Sequence, residues 1–265
     1  MAPRIVFALV ILLLLVSAIR PHYANSQVPT TTSPSPSAVG TQQTTSSAAT
    51  EVVISSTTRI IVMVLSVAAM LGISAALLTG QLYGLVLGQD NRYSNSKFQM
   101  AAWFGILIAS YIATFYMRWQ YGEGASVGGI NIPPDLAAVS GISALTLGGA
   151  KAITTSKHNA AVAAGDTGKV SGRDPSFPFD LFHSDKPAHN PAVDFGDFQM
   201  VIVTMLAIVT YIVQIFYFLG TTASFLPSLG KPVSLPDVDL TILATFGLGQ
   251  GAYLTKKYAG NPGES

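Results

Sequence analysis

Residues 97–116 read KFQMAAWFGILIASYIATFY, and residues 197–216 read DFQMVIVTMLAIVTYIVQIF. Phe-Gln-Met opens both stretches at Phe98 and Phe198, and Tyr111 answers Tyr211 at the same spacing. Behind each triplet the chain carries no charge over 100–117 or 200–219. Such a run matches the roughly 20 apolar residues that a bilayer core about 30 Å thick demands of a helix. The pattern predicts two membrane helices and one unit of chain that occurs twice.

The segments after the two stretches extend the parallel. Ile132-Pro133-Pro134-Asp135 and Leu235-Pro236-Asp237 precede shorter, Gly-richer apolar runs over 136–150 and 240–254. Proline at a helix start gives up an N–H that has no partner there anyway, and a carboxylate complements the helix N-terminus. The runs close as GISALTLGGAK (141–151) and GLGQGAYLTKK (247–257). Their lysines, Lys151, Lys256 and Lys257, have stems long enough to reach a membrane surface. A unit of two spans returns the chain to the side it left, so the two units are parallel repeats rather than inverted ones. With the apolar run at 60–80 as a first helix, the expected fold is an all-α integral membrane protein. It has about five transmembrane helices, a parallel two-helix repeat and a disordered N-terminal segment.

Residues 1–26, MAPRIVFALVILLLLVSAIRPHYANS, have the basic, apolar and small-residue regions of a secretory signal, with cleavage expected after Ser26. An uncleaved anchor is the rival reading and would place both chain ends inside. From 27 to 58 Ser, Thr, Pro and Ala dominate, a composition that buries too little apolar surface to offset the entropy of ordering. Coil scaling gives this tether a reach of roughly 30 Å. The chain thus divides into a signal peptide (1–26), a disordered tether (27–58), a first transmembrane helix (59–88), a first repeat with helices two and three (89–153), a cytoplasmic loop (154–197), a second repeat with helices four and five (198–258) and a tail (259–265).

Only 10% of residues are charged, against roughly a quarter in soluble domains, which makes the lipid bilayer the first partner. A net charge of +1 excludes the basic footprint of a nucleic-acid binder. With 0 Cys, disulfides, thiolate catalysis and cysteine-ligated metals are excluded. Arg92, Lys97, Lys151, Lys157, Lys169, Arg173, Lys186, Lys256 and Lys257 fall on one side of the expected spans, and Arg59, Arg118 and Lys231 on the other. The positive-inside rule then puts the mature N-terminus outside and the C-terminus in the cytoplasm.

DNRYSNSKFQMAAWF, FDLF with FGDFQM after it, and the two Pro-started helices ending in GIS…K and GLGQGAYLTKK resemble a family of poorly characterised prokaryotic integral-membrane proteins. In that family a Gln-bearing helix alternates twice with a helix of the form LLGIS-x-x-x-Y-x-x-x-K. The resemblance covers about residues 85–258 and implies a prokaryotic plasma (inner) membrane location, with no established activity. Two departures stand out: the first repeat has no Tyr over 144–147, and Gly249 replaces the Ser of GIS.

Candidate site residues are few. Gln99 and Gln199 at equivalent helix starts, and Gln250 deeper in its helix, are either a polar site or hydrogen-bonding partners for neighbouring helices. Tyr111 and Tyr211 accompany them. Ser140, Ala144 and Gly148, with Gly247 and Gly251, form small-residue stripes suited to close helix packing. Trp103 and Trp119 read as interfacial anchors together with Lys151, Lys256 and Lys257. AGDTGKV (164–170) lacks the first Gly and the final Ser or Thr of a phosphate-binding loop. His158, His183 and His189 lie among Asp180, Asp185, Asp194 and Asp197 in a proline-rich segment, and no metal site or cofactor is expected there. No nucleophile sits in a recognisable constellation, so no catalytic residue is expected. The expected function is a non-enzymatic membrane scaffold or sensor that self-associates and docks a cytoplasmic partner on 151–197; an oligomeric channel or permeation subunit is the alternative.

Overall fold

The structure, a computed structural model, describes residues 51–78, 82–88, 92–122, 129–165, 174–182, 195–227 and 231–259. The expected signal peptide, most of the tether, and His183, His189, Asp185 and Asp194 lie outside the described residues.

The fold is all-α. Its long helices are α1 (Ser56–Leu77), α2 (Asn95–Tyr121), α3 (Pro134–Ala163), α4 (Phe195–Phe218) and α5 (Leu240–Ala259). Short strands β1 (Ile130–Asn131) and β2 (Val233–Ser234) precede α3 and α5, and a single helical turn, Thr222–Phe225, comes after α4. Helices α1 to α4 are long and apolar enough to cross a membrane. At 1.5 Å per residue they measure about 33 to 45 Å. α5 is not among them, against the expectation of five. Gln250, Gly247, Gly249, Gly251 and three threonines dilute its apolar content.

Four helices close into a ring in the order α2, α3, α5, α4, each packed along the next, and α1 lies outside it against α2. Gly105 on α2 makes room for α1: a methyl group there would meet Met70 Cε at 3.1 Å. β1 and β2 pair in parallel, Ile130 with Val233 and Asn131 with Ser234. This pairing marks one end of the ring, the β end; Lys256 and Lys257 mark the other, the lysine end.

Three expected boundaries move, the first being the end of α1 at Leu77 rather than at 88. α1 starts at Ser56, where the Ser55 side chain accepts from Thr58 N at 3.1 Å, so the last part of the tether is folded. Ile54 N donates to Gly220 O at 2.8 Å and Thr222 N to Val52 O at 3.0 Å, which pins the approach to α1 onto the end of α4. Gly220 is required there, because a Cβ would fall 2.7 Å from Tyr217 O and 3.2 Å from Arg59 Nη1. α3 runs on through Lys151 to Ala163, past the boundary expected at 153. No Gly or Pro interrupts 151–163, so nothing stops the helix where its apolar run ends.

Asp237 departs from its expected role. Its Oδ1 accepts from Leu136 N at 2.9 Å, capping α3 rather than the helix that comes after it in the chain. α5 is capped by Asp239, whose Oδ1 accepts from Thr241 N at 2.8 Å. Hydrogen bonds from the Thr241 side chain and backbone hold the Asp239 carboxyl below the usual aspartate range. That contribution is present at neutral pH and is lost as pH falls through the lowered value. Asp237→Ala is expected to cost about 1 kcal/mol, the usual worth of a cap, with amide exchange faster at Leu136. Asp135→Ala, which removes the α3 first-turn carboxylate, should cost less. Equal losses would contradict the cross-repeat cap.

Candidate functional site

Polar side chains are turned into the ring. The buried face of α2 carries Asn95, Ser96, Gln99, Ser110, Thr114 and Arg118. α3 adds Ser140, Ser143 and Thr146, α4 adds Thr204, and α5 adds Gln250. Lipid offers these groups no hydrogen bonds, so helix packing must satisfy them. Several do so locally: Ser140, Ser143, Thr146 and Thr204 each donate to the carbonyl one turn back, at 2.8 to 3.0 Å.

The centre of the arrangement is a polar layer with one member from each helix of the ring. Gln99 is 1% exposed, and its Nε2 donates to Thr204 Oγ1 at 2.8 Å. The Thr204 proton is committed to Met200 O, so Thr204 can only accept from Gln99. That fixes the Gln99 amide and turns Oε1 away. The Asp197 to Lys256 ion pair at 3.7 Å sets α4 against α5 and puts Thr204 level with Gln250, which is 3% exposed. Leu254 Cδ2, which would lie 3.3 Å from a Cβ at Gly149, and Ile142 Cδ1, 3.9 Å from one at Gly247, set α3 against α5. They bring Thr146, 1% exposed, to the same level. Gln99 Oε1 and Gln250 Oε1 are both buried acceptors without a hydrogen bond.

An aromatic layer lies one turn toward the β end. Trp103 meets Phe246 edge-on at 5.7 Å and Tyr211 at 6.3 Å between ring centroids. The Tyr211 hydroxyl has Ser110 as a polar neighbour but makes no hydrogen bond. On the lysine side, Met200, Tyr253 and Ala150 close the layer with Leu254 packed against them.

The expected site residues therefore part company. Gln99 and Gln250 come together, whereas Gln199 is exposed. Tyr211 is buried and Tyr111 is exposed, so the repeated Tyr does not mark equivalent environments. Trp103 is fully buried, not interfacial, because its ring fills the bundle axis. Trp119 is 50% exposed and stacks on Phe115. Of the small stripes, Ser140 is buried and Ala144 half-buried, while Gly148 and Gly251 are exposed with nothing within 4 Å of an added Cβ. The α3–α5 seam sets Gly247 of the expected stripes against Ile142 and adds Gly149 against Leu254. Lys151 is exposed, Lys256 pairs with Asp197, and Lys257 lies 5.7 Å from the Tyr253 ring and accepts from Lys157 Nζ through its carbonyl at 2.6 Å.

Both ends of the ring are held by buried charges that composition alone does not single out. At the β end the Arg118 guanidinium donates to Phe225 O at 2.7 Å and Lys231 O at 2.8 Å. At the lysine end Asp180 Oδ2 accepts from Ser176 N at 2.9 Å, and its Oδ1 stands 3.8 Å from Arg92 Nε. Asn95 Nδ2 donates to Leu181 O, and Phe177 and Phe182 pack against Tyr93, Phe98 and Phe198. Segment 174–182 is folded onto the bundle. Among the described residues no group of His, Asp and Glu is arranged to hold a metal ion. The chain matches no protein-family model, no curated protein and no solved structure, so its role rests on its own geometry.

Proposed function

We propose that the chain is a non-enzymatic multi-pass membrane scaffold of the sensor kind, in which a rigid ring joins the loops on its two faces. One observation carries this reading: Trp103, Tyr211 and Phe246 fill the ring's axis while Arg118 and Asp180 tie loops to its opposite ends. A filled axis with clamped ends suits a body that holds or relays rather than one that conducts. The proposal includes α5 as a fifth span, supported by its packing along α3 and α4. It includes a parallel repeat, supported by the order helix, strand, helix that occurs twice and by the parallel β1–β2 pair, and with it the likeness to prokaryotic membrane proteins of repeated Gln-bearing helices.

A cytoplasmic lysine end is supported by Arg92, Lys97, Lys151, Lys157, Lys256 and Lys257, set against Arg59, Arg118 and Lys231 at the β end. The exposed glycines Gly148 and Gly251 leave room for a second copy, and the exposed α3 extension from 151 to 163 is the docking segment for a cytoplasmic partner.

The second reading, a permeation subunit, draws on the polar inward face of α2. Reconstitution of the full chain in liposomes separates the two. The scaffold reading expects no flux of ions or small solutes. Saturable flux that Gln250→Leu abolishes in a folded protein would replace it with permeation.

A further inference from the structure

The lysine end carries more positive charge than its packing uses. Neither α3 beyond Asp135 nor any part of α5 contains Asp or Glu, yet Lys157, Lys256 and Lys257 come together where these two helices run side by side. Lys157 Nζ donates to Lys257 O at 2.6 Å, Lys257 Nζ lies 5.7 Å from the centre of the Tyr253 ring, and Lys256 Nζ meets Asp197 Oδ1 on α4 at 3.7 Å. Capping the α5 C-terminus uses part of this charge. A helix end is worth roughly half a negative charge and Asp197 adds one, so about one and a half stand against the three lysines among the described residues.

The cluster also sits at the depth of lipid phosphates. Gly149 and Leu254 are level, because Leu254 Cδ2 would lie 3.3 Å from a Cβ at Gly149. Lys256 and Lys257 come directly after the apolar run 240–254, and Lys157, about 12 Å past Gly149 along α3, reaches back to them. The headgroup layer on each side of a bilayer core is about 5–8 Å deep, so all three ammonium groups can lie within or beside it. Phe195 and Tyr258, 75% and 76% exposed, flank the Asp197–Lys256 pair along the chain, as aromatic residues do at a membrane–water interface. A soluble anion requires no such depth; the phosphate of a phospholipid is found there.

We propose that Lys157, Lys256 and Lys257 hold the phosphate of an anionic phospholipid at the end of the α3–α5 pair. Basic clusters between membrane helices bind such headgroups, and each lysine at an anionic surface strengthens binding about fivefold. Lys151 is not part of the cluster: about 200° of turn from Gly149, it lies on the side of α3 away from α5. The site goes beyond the scaffold reading and does not depend on it, since a lipid can bind the α3–α5 pair whatever the ring does.

The full chain, purified in a neutral detergent, is titrated with phosphatidylglycerol and with phosphatidylcholine of the same acyl chains, and native mass spectrometry counts the lipids retained. The first phosphatidylglycerol is expected to bind at least about tenfold more tightly than phosphatidylcholine, with the preference falling as salt rises. Lys157→Gln and Lys257→Gln should each lower the preference about fivefold, and Lys257→Arg should keep it. Glutamine at 157 still offers a donor to Lys257 O, so a loss there reports charge rather than the cap. Lys151→Gln and Lys231→Gln should leave the preference unchanged. If the Lys157 variant fails to fold, Lys257→Gln decides the matter. Equal affinity for the two lipids, or a preference that Lys257→Gln leaves intact, overturns the proposal. An equal loss in Lys151→Gln overturns it by reducing the effect to the general attraction of a basic surface. Soluble glycerol phosphate that binds as tightly as phosphatidylglycerol, or polyglutamate that displaces the lipid, overturns it in favour of a soluble partner.

Discussion

Arg118→Ala is expected to destabilise the chain by about 3–5 kcal/mol, the cost of breaking a buried charged network. The guanidinium is fully buried and spans two carbonyls far apart in sequence from it, Phe225 O and Lys231 O. Removing it leaves both carbonyls without this donor and opens space beside Phe225, itself buried against Tyr121 at 5.9 Å. The stability gained from having Arg118 is smaller than the loss on deleting it, because burying the charge cost energy in the first place. Lysine should recover little: its ammonium is a compact point charge, whereas the planar fork reaches two acceptors at once. Denaturation of the purified protein gives the magnitude, and limited proteolysis gives the place, with new cleavage expected between 222 and 235. A folded Arg118→Ala protein with an unchanged melting temperature would mean that the β end is held by Val233, Leu235 and their apolar neighbours alone.

Arg118 also marks the limit of what the sequence makes legible. The helices themselves can be read from it, because a bilayer requires long uncharged runs and few soluble segments imitate them. The start of α3 is legible too, since Pro133 stands at its cap and Pro134 opens it. Which face of each helix turns inward is not. In lipid both faces are apolar, so the contrast that marks the buried side of a soluble amphipathic helix is absent. The repeat then misleads, since it implies that Gln99 and Gln199, or Tyr111 and Tyr211, share an environment. α2 buries Gln99, Trp103 and Leu107, while α4 buries Met200, Thr204 and Ile208. These sets differ by one position once the repeat is aligned, and one residue turns a helix by about 100°. A usable signal is present in α2, where Asn95, Gln99, Ser110, Thr114 and Arg118 share the buried face. The partner carbonyls of Arg118, one at the end of the Thr222–Phe225 turn and one before β2, lie more than a hundred residues away, and no local pattern announces them.

Trp103→Ala should give the other large effect, about 3–5 kcal/mol, as buried aromatic truncations do. The lost volume lies on the ring axis, between Phe246 and Tyr211, where α5 and α4 are held by opposite neighbours and can close the gap only by moving apart from α3 or α2. Phe246→Ala should be costly for the same reason, and the double variant should cost less than the two singles added, because the edge-on pair is lost only once. The expected coupling is about 0.5–1.5 kcal/mol. Fluorescence gives an independent check, since the chain has 2 Trp. In Trp119→Phe the remaining emission comes from Trp103 and should resist a lipid-borne quencher; in Trp103→Phe it comes from exposed Trp119 and should be quenched. Strong quenching of Trp103, together with a stable Trp103→Ala protein, would return this residue to the membrane surface. The ring would then lack its central plug, and permeation would become the better account of its polar interior.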